Sequence, residues 1–242
     1  PVGVVAAVTP FNFPLNLVAH KLAPALAAGN TVVLKPSSNT PVSSFKLAAL
    51  LAKAGLPEGA LILTPCRGSK GNALVRDKRI AVLTFTGSQE VGWRLRGEVH
   101  PGVRVILELG GNAGIVVHSD ADIELAAKAA CRGGYAHAGQ ICISVQRVYV
   151  QERIYEKFLS QFSSLVGALT VGDPLDEKTD VGPMIDTGSV EKTCQWVQDA
   201  VKAGAKLVYG GQQKGNNCLT PVILADTTSD MSVVCQEVFG PV

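Results

Sequence analysis

Short apolar runs alternate with longer amphipathic stretches along the first 110 residues. The runs VGVVAAV, TVVLKPS, ALILTP, AVLTFTG and VRVILELGG are rich in β-branched residues, which is typical of strands buried on both faces. Helices are predicted between them, near residues 16–28, 41–54 and 89–99. Thr40 as N-cap, Pro41 in the first turn and Gly55 as the stop delimit the second helix. This alternation predicts an α/β fold with a parallel sheet covered on both faces.

A second pattern begins near Gly110, where two glycines interrupt the alternation. The sequence therefore predicts two domains, 1–110 and 111–242. AGIVVHSDAD predicts a strand and a helix start, and QRVYVQE predicts a strand with a period of two. Amphipathic helices are predicted near 152–168 and 186–203. Apolar residues at 190, 194, 197 and 201 in the last of these place Cys194 on its core face.

Composition excludes several classes of function. The net charge is +2 without a basic block, so we expect neither nucleic acid nor an anionic membrane as a partner. The six cysteines lack CxxC spacing, which favours free thiols in a reducing cytoplasm, and we expect no metal. The chain starts as if inside a strand and ends without a capped helix. We therefore expect an internal fragment of a longer protein, inactive by itself.

Two candidate chemical groups follow predicted strands. Asn12 lies between two prolines in TPFNFP, and a rigid amide there could donate to an oxyanion, although an isolated asparagine more often stabilises its own turn. Lys35 ends the strand of VVLKPS. A lysine at the carboxyl end of a parallel strand suits a phosphate or a ribose hydroxyl, while a solvated surface lysine is equally compatible with the sequence.

Three further sites, comprising four residues, have both a chemical and a structural interpretation. Gly87 and Ser88 precede a helix, as at a pyrophosphate site, but Ser88 is also an ordinary N-cap. Glu108 lies in an apolar strand, where a buried carboxylate must pair with a cation or serve as a general base. Cys142 follows a helix end in HAGQICIS. It is either a packing residue between two isoleucines or a nucleophile.

The order of five motifs resolves these alternatives. TPFNFPLNLVAHKLAPALAAGNTVVLKPS, FTGSQEVG, LELGG, GQICIS and EVFGPV occur in the order found in the aldehyde dehydrogenase superfamily, and the resemblance covers essentially the whole chain. It implies a Rossmann-like parallel α/β domain that binds NAD(P), over residues 1–110, followed by an α/β catalytic domain over 111–242. Both domains are expected to be incomplete.

The resemblance also implies catalytic roles. Cys142 is similar to the family nucleophile, Glu108 to the base that activates water, and Asn12 to the oxyanion donor. Lys21 is similar to a lysine implicated in proton relay; without the resemblance it would be a solvated helix lysine. The implied reaction oxidises an aldehyde to a carboxylic acid through a thioester, which water activated by Glu108 hydrolyses in preference to transfer to coenzyme A.

The resemblance assigns the cofactor and substrate positions as well. Those implied for the cofactor are Thr9, Phe11, Lys35, Ser38, Gly87, Ser88, Gly92, Leu109, Glu237 and Phe239. Ser38 stands where strongly NAD-preferring members often have glutamate, which suggests tolerance of NADP. Those implied for the substrate are Asn16, Leu17, His20, Ile141 and Ile143.

Asn16 and His20 favour a small polar or hydroxylated aldehyde, and no arginine adjoins Cys142 to suggest a phosphate or sulfonate. A homodimer or homotetramer is expected for the full-length protein. The alternative is a catalytically inactive structural or cofactor-binding protein of the same fold.

Overall fold

The computed structural model describes residues 1–215 and 217–242, which form two compact units, Pro1–Gly110 and Gly111–Val242. The strands of the first unit are β1 (Val4–Val8), β2 (Thr31–Lys35), β3 (Leu61–Leu63), β4 (Ile80–Thr86) and β5 (Arg104–Glu108). Its helices are α1 (Asn16–Ala27), α2 (Val42–Lys53), α3 (Gly68–Val75) and α4 (Gln89–Glu98).

The five strands form one parallel sheet in the order β3-β2-β1-β4-β5. The chain runs outward from β1 to β3 and then returns to the other side of β1 through β4. This reversal places a topological switch point between β1 and β4, and ligands of open α/β sheets bind at the carboxyl ends of strands at such a point. The register pairs Val8 with Lys35, so these two strands end side by side.

Two apolar clusters cover the two faces of this sheet, as the apolar strand runs predict. Val5 and Ala7 of β1 face one cluster, while Ala6 faces the other. Leu34 and Leu83 are fully buried in opposite clusters. Each such leucine contributes about 1.5–3 kcal/mol relative to an exposed one, so packing on both faces holds the strand ends in place.

The start of α2 differs from the prediction. Pro41 occupies the N-cap position, whereas the Thr40 hydroxyl donates to the Phe11 carbonyl at 3.4 Å and caps nothing. The hydroxyl is held by the loop after β1, so it is not available to the helix. Gly55 has φ +91° just beyond the C-cap, which confirms it as the stop.

The second unit has a looser architecture. Its strands are β6 (Ala113–Val117), β7 (Val145–Val150), β8 (Lys206–Tyr209), β9 (Gln213–Lys214), β10 (Cys218–Leu219) and β11 (Ile223–Ala225). Its helices are α5 (Ile123–Tyr135), α6 (Glu152–Gly167), α7 (Thr187–Lys202) and α8 (Ser232–Cys235), with a 3₁₀ turn at Ala136–Gly139. Strands β6 and β7 pair in parallel, and β8 with β11 and β9 with β10 form antiparallel pairs. The sequence predicts the two strands β6 and β7, although not their pairing, and misses the short antiparallel strands.

The core of this unit gathers around α5, α6 and α7. Phe158 and Phe162 stack with ring centroids 5.6 Å apart. Cys194 packs against the same cluster, which confirms its predicted core position. Val201 is 40% exposed, so the apolar stripe of α7 stops before the end of the helix. None of the described helices is long and apolar enough to cross a membrane.

Candidate active site

The carboxyl edge of the first unit's sheet collects several of the predicted residues. Thr9 follows β1, Lys35 ends β2, Gly87 follows β4 and Leu109 follows β5. The Thr9 N–H donates to the Lys35 carbonyl at 3.2 Å, which ties the ends of the two central strands together. The structure thus brings the cofactor residues predicted in this unit to one edge of one sheet.

Lys35 is buried at this edge, and its interpretation as a solvated surface lysine is wrong. Its side chain is 7% exposed, and Nζ donates to the Pro36 carbonyl at 3.1 Å. Burial lowers the pKa of its ammonium, an effect that nearby Cys66 partly opposes. Among the described residues no carboxylate forms an ion pair with Lys35. A buried ammonium in this position retains donor capacity for a hydroxyl or phosphate oxygen.

Helix α3 lies directly against this lysine. A Cβ atom on Gly71 would come within 2.9 Å of Lys35 Cδ, so a larger residue there would require the lysine side chain to shift. Ser38 is exposed, and its hydroxyl donates to the Cys66 carbonyl at 3.1 Å just before the helix. Residues 60–76 contain no acidic side chain, so a phosphate would meet no repelling carboxylate from this segment.

The turn after β4 fulfils its prediction in part. A Cβ on Gly87 would lie 2.6 Å from the Phe85 ring, and one on Gly92 would lie 2.4 Å from Leu109 Cδ2. The Gly87 N–H donates to the Glu108 carbonyl at 3.0 Å, so it is not a free donor for a pyrophosphate. Ser88 occupies the N-cap position of α4 without a side-chain capping bond. The N–H groups of the first helical turn are therefore the donors that this helix offers a phosphate.

Glu108 does not have the expected burial. It is exposed, as are Arg104 and Ile106 on the same face of β5, whereas Val105 and Leu107 on the other face pack against the apolar cluster. The argument from a buried carboxylate is therefore wrong, and the role of Glu108 as a base depends on the resemblance and on position alone.

Lys21 is a buried charge at this sheet. It is 7% exposed on α1, and Nζ donates to Thr84 Oγ1 on β4 at 3.0 Å. Burial lowers its pKa to about 8, while the Glu108 charge acts in the opposite direction. The interpretation as a solvated helix lysine is wrong. An ammonium with this pKa can exchange a proton near neutral pH.

The remaining predicted residues of this unit lie on the loop after β1 and on α1. Asn12 is 5% exposed, in keeping with a rigid, shielded amide, and Phe11 is half-buried. Asn16 and His20 are exposed and one helical turn apart, so they share one face of α1, with half-buried Leu17 beside them. These positions are compatible with substrate contact but show no ligand.

The second unit holds Cys142 in an irregular turn. His137, Ala138 and Gly139 have φ values of +55°, +54° and +69°, so three successive residues adopt the left-handed conformation before it. Such a conformation is strained for non-glycine residues and persists when surrounding contacts impose it. Cys142 and Ile141 are half-buried, whereas Ile143 is 78% exposed.

Buried polar side chains anchor this turn on both sides. Gln140 is 3% exposed, and its Oε1 accepts the Ile185 N–H at 2.9 Å. Ser144 is 2% exposed, and its hydroxyl lies 3.2 Å from the carbonyls of Gly133 and Gly134. The backbone that carries Cys142 is therefore fixed before and after the thiol.

Two glycines permit close backbone contacts around the turn. A Cβ on Gly139 would lie 2.0 Å from the Gly240 carbonyl oxygen, and one on Gly111 would lie 2.3 Å from the Cys142 carbonyl oxygen. No larger residue fits either place without backbone movement. Segments distant in sequence thus set the position of Cys142.

Glu237 and Phe239 belong to the same arrangement. Glu237 is half-buried, and its Oε1 accepts the Gly111 N–H at 3.0 Å. Phe239 is half-buried with φ +56°, another left-handed non-glycine residue. The structure therefore brings Glu237 and Cys142 to opposite sides of one glycine.

Sequence reasoning missed three residues near these groups. Thr84 holds Lys21, and its signal is a hydroxyl side chain within a largely apolar strand. Gln146 bonds to the backbone of two loops. Lys192 lies 4.1 Å from the Trp196 ring centroid, and burial lowers its pKa against the opposing effect of Glu237. No signal in the sequence distinguishes the last two from ordinary polar residues.

The aldehyde dehydrogenase family model matches residues 1–242 of this chain. The chain belongs to the aldehyde dehydrogenase family. It is 49% identical to a 3-sulfolactaldehyde dehydrogenase of Priestia aryabhattai over 243 residues, covering 100% of this chain and 50% of that protein. The family resemblance and the α/β fold class predicted from the motifs are confirmed.

Solved aldehyde dehydrogenase structures have the same fold. An NADP-dependent enzyme of E. coli superposes with a TM-score of 0.96 at 40% identity, covering 100% of this chain and 51% of that one. An NAD-dependent aldehyde dehydrogenase of Sinorhizobium meliloti gives 0.97 at 38% identity, covering 100% and 49%. The chain spans about half the length of the curated aldehyde dehydrogenases it matches, and relatives in the family use NAD or NADP.

Proposed function

We propose that this member of the aldehyde dehydrogenase family oxidises an aldehyde to the carboxylic acid, with NAD or NADP as the hydride acceptor. The observation that carries the proposal is the arrangement at Gly111, which packs against the Cys142 carbonyl and donates its N–H to Glu237. It supports the proposal because one backbone position, Gly111, is in contact with both the proposed nucleophile, Cys142, and the proposed cofactor contact, Glu237. Residues 1–110 would bind the cofactor, and residues 111–242 would carry the nucleophile.

The residues at the sheet edge fit the cofactor. Lys35 is a buried cation without an ion pair among the described residues, and Gly71 permits α3 to lie against it. Lys35 would bind the adenosine ribose, and Glu237 the nicotinamide ribose. Gly87, Ser88 and the first turn of α4 would face the pyrophosphate. When bound, the nicotinamide ring supplies the acceptor for the hydride.

The chemical steps divide among four side chains. The Cys142 thiolate would attack the aldehyde carbon, while the Asn12 amide and the Cys142 N–H hold the oxyanion. Each such donor contributes about 3 kcal/mol to the transition state. After loss of hydride, Glu108 would deprotonate the water that hydrolyses the thioester. Lys21, with its pKa lowered to about 8, would relay protons.

We further propose that the protein accepts NADP as well as NAD. Ser38 places a neutral hydroxyl where a carboxylate would repel a 2′-phosphate, and the basic residues Arg67 and Lys70 follow Cys66 in a segment without acidic side chains. We expect comparable kcat/KM values for NAD and NADP. A strong preference for NAD in steady-state assays would contradict this expectation.

For the substrate we propose a small polar or hydroxylated aldehyde. Asn16 and His20 offer hydrogen-bonding groups on the exposed face of α1, and Ile141 and Leu17 offer apolar contact. The relative from Priestia aryabhattai is named for 3-sulfolactaldehyde, a hydroxylated aldehyde that also bears a sulfonate. That compound belongs in the substrate panel although no arginine adjoins Cys142.

An assay of the purified full-length protein, with a panel of aldehydes and both nucleotides, tests the proposal. We expect NAD(P)H production with at least one short polar aldehyde, and its loss in Cys142→Ala. Cys194→Ala is the matched control, since Cys194 is a packing residue. NAD(P)H production that persists in Cys142→Ala would overturn the mechanism. Cofactor binding without turnover on the whole panel would favour the inactive structural or cofactor-binding alternative.

The assembly and compartment are proposals as well. We propose that the full-length protein is a homodimer or homotetramer. We also propose a cytoplasmic location, since the six cysteines of this chain are free thiols. Size-exclusion chromatography with light scattering at working concentration measures the assembly, and a monomeric mass would contradict it.

A further inference from the structure

Gln146, at the start of β7, uses both ends of its side-chain amide. Nε2 donates to the Gly111 carbonyl at 3.0 Å, and Oε1 accepts the Val238 N–H at 2.9 Å. A carbonyl can only accept and an N–H can only donate, so these partners determine the orientation of the amide. Gln146 therefore joins two backbone segments that are 127 positions apart in the numbering, Gly111 and Val238.

These bonds close a ring with Glu237. The Gly111 N–H donates to Glu237 Oε1 at 3.0 Å, and Val238 follows Glu237 in the chain. Gly111 is thus held at its N–H by Glu237 and at its carbonyl by Gln146. A displacement of Gly111 would break both bonds, and a displacement of Val238 would carry Glu237 with it.

The ring bears directly on the Cys142 turn. Gly111 lies so close to the Cys142 carbonyl oxygen that a Cβ atom would be 2.3 Å from it. The position of Gly111 therefore limits how far the peptide after Cys142 can move. The described hydrogen bonds of Gln146 go to Gly111 and Val238, so its effect on the Cys142 turn passes through Gly111.

We propose that Gln146 is a positioning residue that keeps the Cys142 turn and the Glu237 loop in register. The inference rests on the proposed function, in which Cys142 is the nucleophile and Glu237 binds a cofactor ribose. Neutral donor and acceptor ends are both needed. An apolar residue loses both bonds, and a glutamate keeps an acceptor for Val238 but places a carboxylate against the Gly111 carbonyl.

Gln146→Met, which keeps the length of the side chain, tests the role directly. We expect the dissociation constant of NAD⁺ or NADP⁺, measured by calorimetry, to rise about tenfold, because two hydrogen bonds that hold the Glu237 loop are lost. The KM for the cofactor should rise in parallel, and kcat should fall as well, because Gly111 no longer limits the movement of the Cys142 turn. Gln195→Met is the control, since Gln195 bonds only to exposed Asp199 on α7 in the described structure, and it should change neither constant.

In Gln146→Glu, the pH dependence of the cofactor dissociation constant distinguishes the positioning role from a merely structural one. Near pH 8 its carboxylate should weaken cofactor binding, whereas near pH 5 a protonated glutamic acid can donate to the Gly111 carbonyl. The ratio of variant to wild-type dissociation constants should therefore fall toward about one as the pH falls. This variant also serves if Gln146→Met does not fold.

Cofactor binding by the wild-type protein distinguishes failure of the proposed function from failure of the positioning role. If the wild-type protein binds neither NAD⁺ nor NADP⁺, the proposed function fails. If the wild type binds but both Gln146 variants bind equally well at each pH, the positioning role alone is wrong.

Discussion

The sheet edge of the first unit and the Cys142 turn of the second are held in place by different means. At the sheet edge, regular parallel strands end side by side, and Thr9, Lys35 and Gly87 occupy their predicted places. Around Cys142 the backbone is irregular, with left-handed residues and glycines pressed against distant carbonyls. At the sheet edge, the pairing register of the strands positions the side chains. The Cys142 turn is instead positioned by side-chain hydrogen bonds and close contacts from other segments of the second unit.

The comparison is tested most severely by a pair of glycines. Gly139→Ala places a Cβ 2.0 Å from the Gly240 carbonyl in a residue with φ +69°, and we expect it to destabilise the protein by about 4 kcal/mol from strain and overlap. Gly97→Ala adds a Cβ to α4 with nothing within 4 Å and should stabilise by up to about 1 kcal/mol. Urea denaturation measures both, and equal stability of the two variants would refute the distinction.

Asn12 tests whether the sheet edge contributes to the chemistry itself. Asn12→Ala removes the proposed oxyanion donor, and we expect kcat to fall about 100- to 1000-fold with a smaller change in cofactor affinity. Asn39→Ala, at an exposed position of the same unit, is the control. An unchanged kcat in Asn12→Ala would assign Asn12 to its local turn instead.

The pH dependence of stability tests the burial of Lys21 at the sheet edge. The pKa of Lys21 is about 8 in the folded protein, against 10.5 for an ordinary lysine. Between pH 8 and pH 10.5 the unfolded chain therefore binds more protons at this lysine than the folded protein does. The contribution of Lys21 to the free energy of unfolding therefore increases with pH across that window, by about 3 kcal/mol in total. Lys21→Met should abolish this rise in denaturation series from pH 7.5 to 10.5. A rise that survives in the variant would show that another group causes it.

Ser88 should have the smallest effect. Its side chain makes no capping bond to α4, so Ser88→Ala should change stability by less than about 0.5 kcal/mol. Asp122→Ala is the matched contrast, because Asp122 accepts the Leu125 N–H at 3.1 Å, and its loss should cost about 1 kcal/mol. Thermal unfolding of both variants measures the difference, and an equal loss would show that Ser88 caps the helix in solution.

The same distinction explains what the sequence could predict. Strand ends such as Lys35 follow from apolar periodicity, because a parallel sheet brings its carboxyl ends to one edge. The prediction that Glu108 is buried is wrong, since the apolar character of the strand does not reveal that one face of β5 is exposed.

The contacts around Cys142 lie beyond local pattern altogether. Glu237 and Gln146 reach Gly111 from 126 and 35 positions away, and the left-handed conformation of His137 and Ala138 has no signal in their identities. The identification of Cys142 therefore came from the order of the family motifs.

Trapping of the acyl intermediate tests the central claim most directly. In Glu108→Gln, treated with an oxidisable aldehyde and oxidised cofactor and then quenched in acid, hydrolysis of the thioester should be slowed. Peptide mass spectrometry should then find the acyl group on the peptide that contains Cys142 and on none of the other five cysteines. Acid release that continues with Cys142 unmodified, or an acyl group on another cysteine, would contradict Cys142 as the nucleophile.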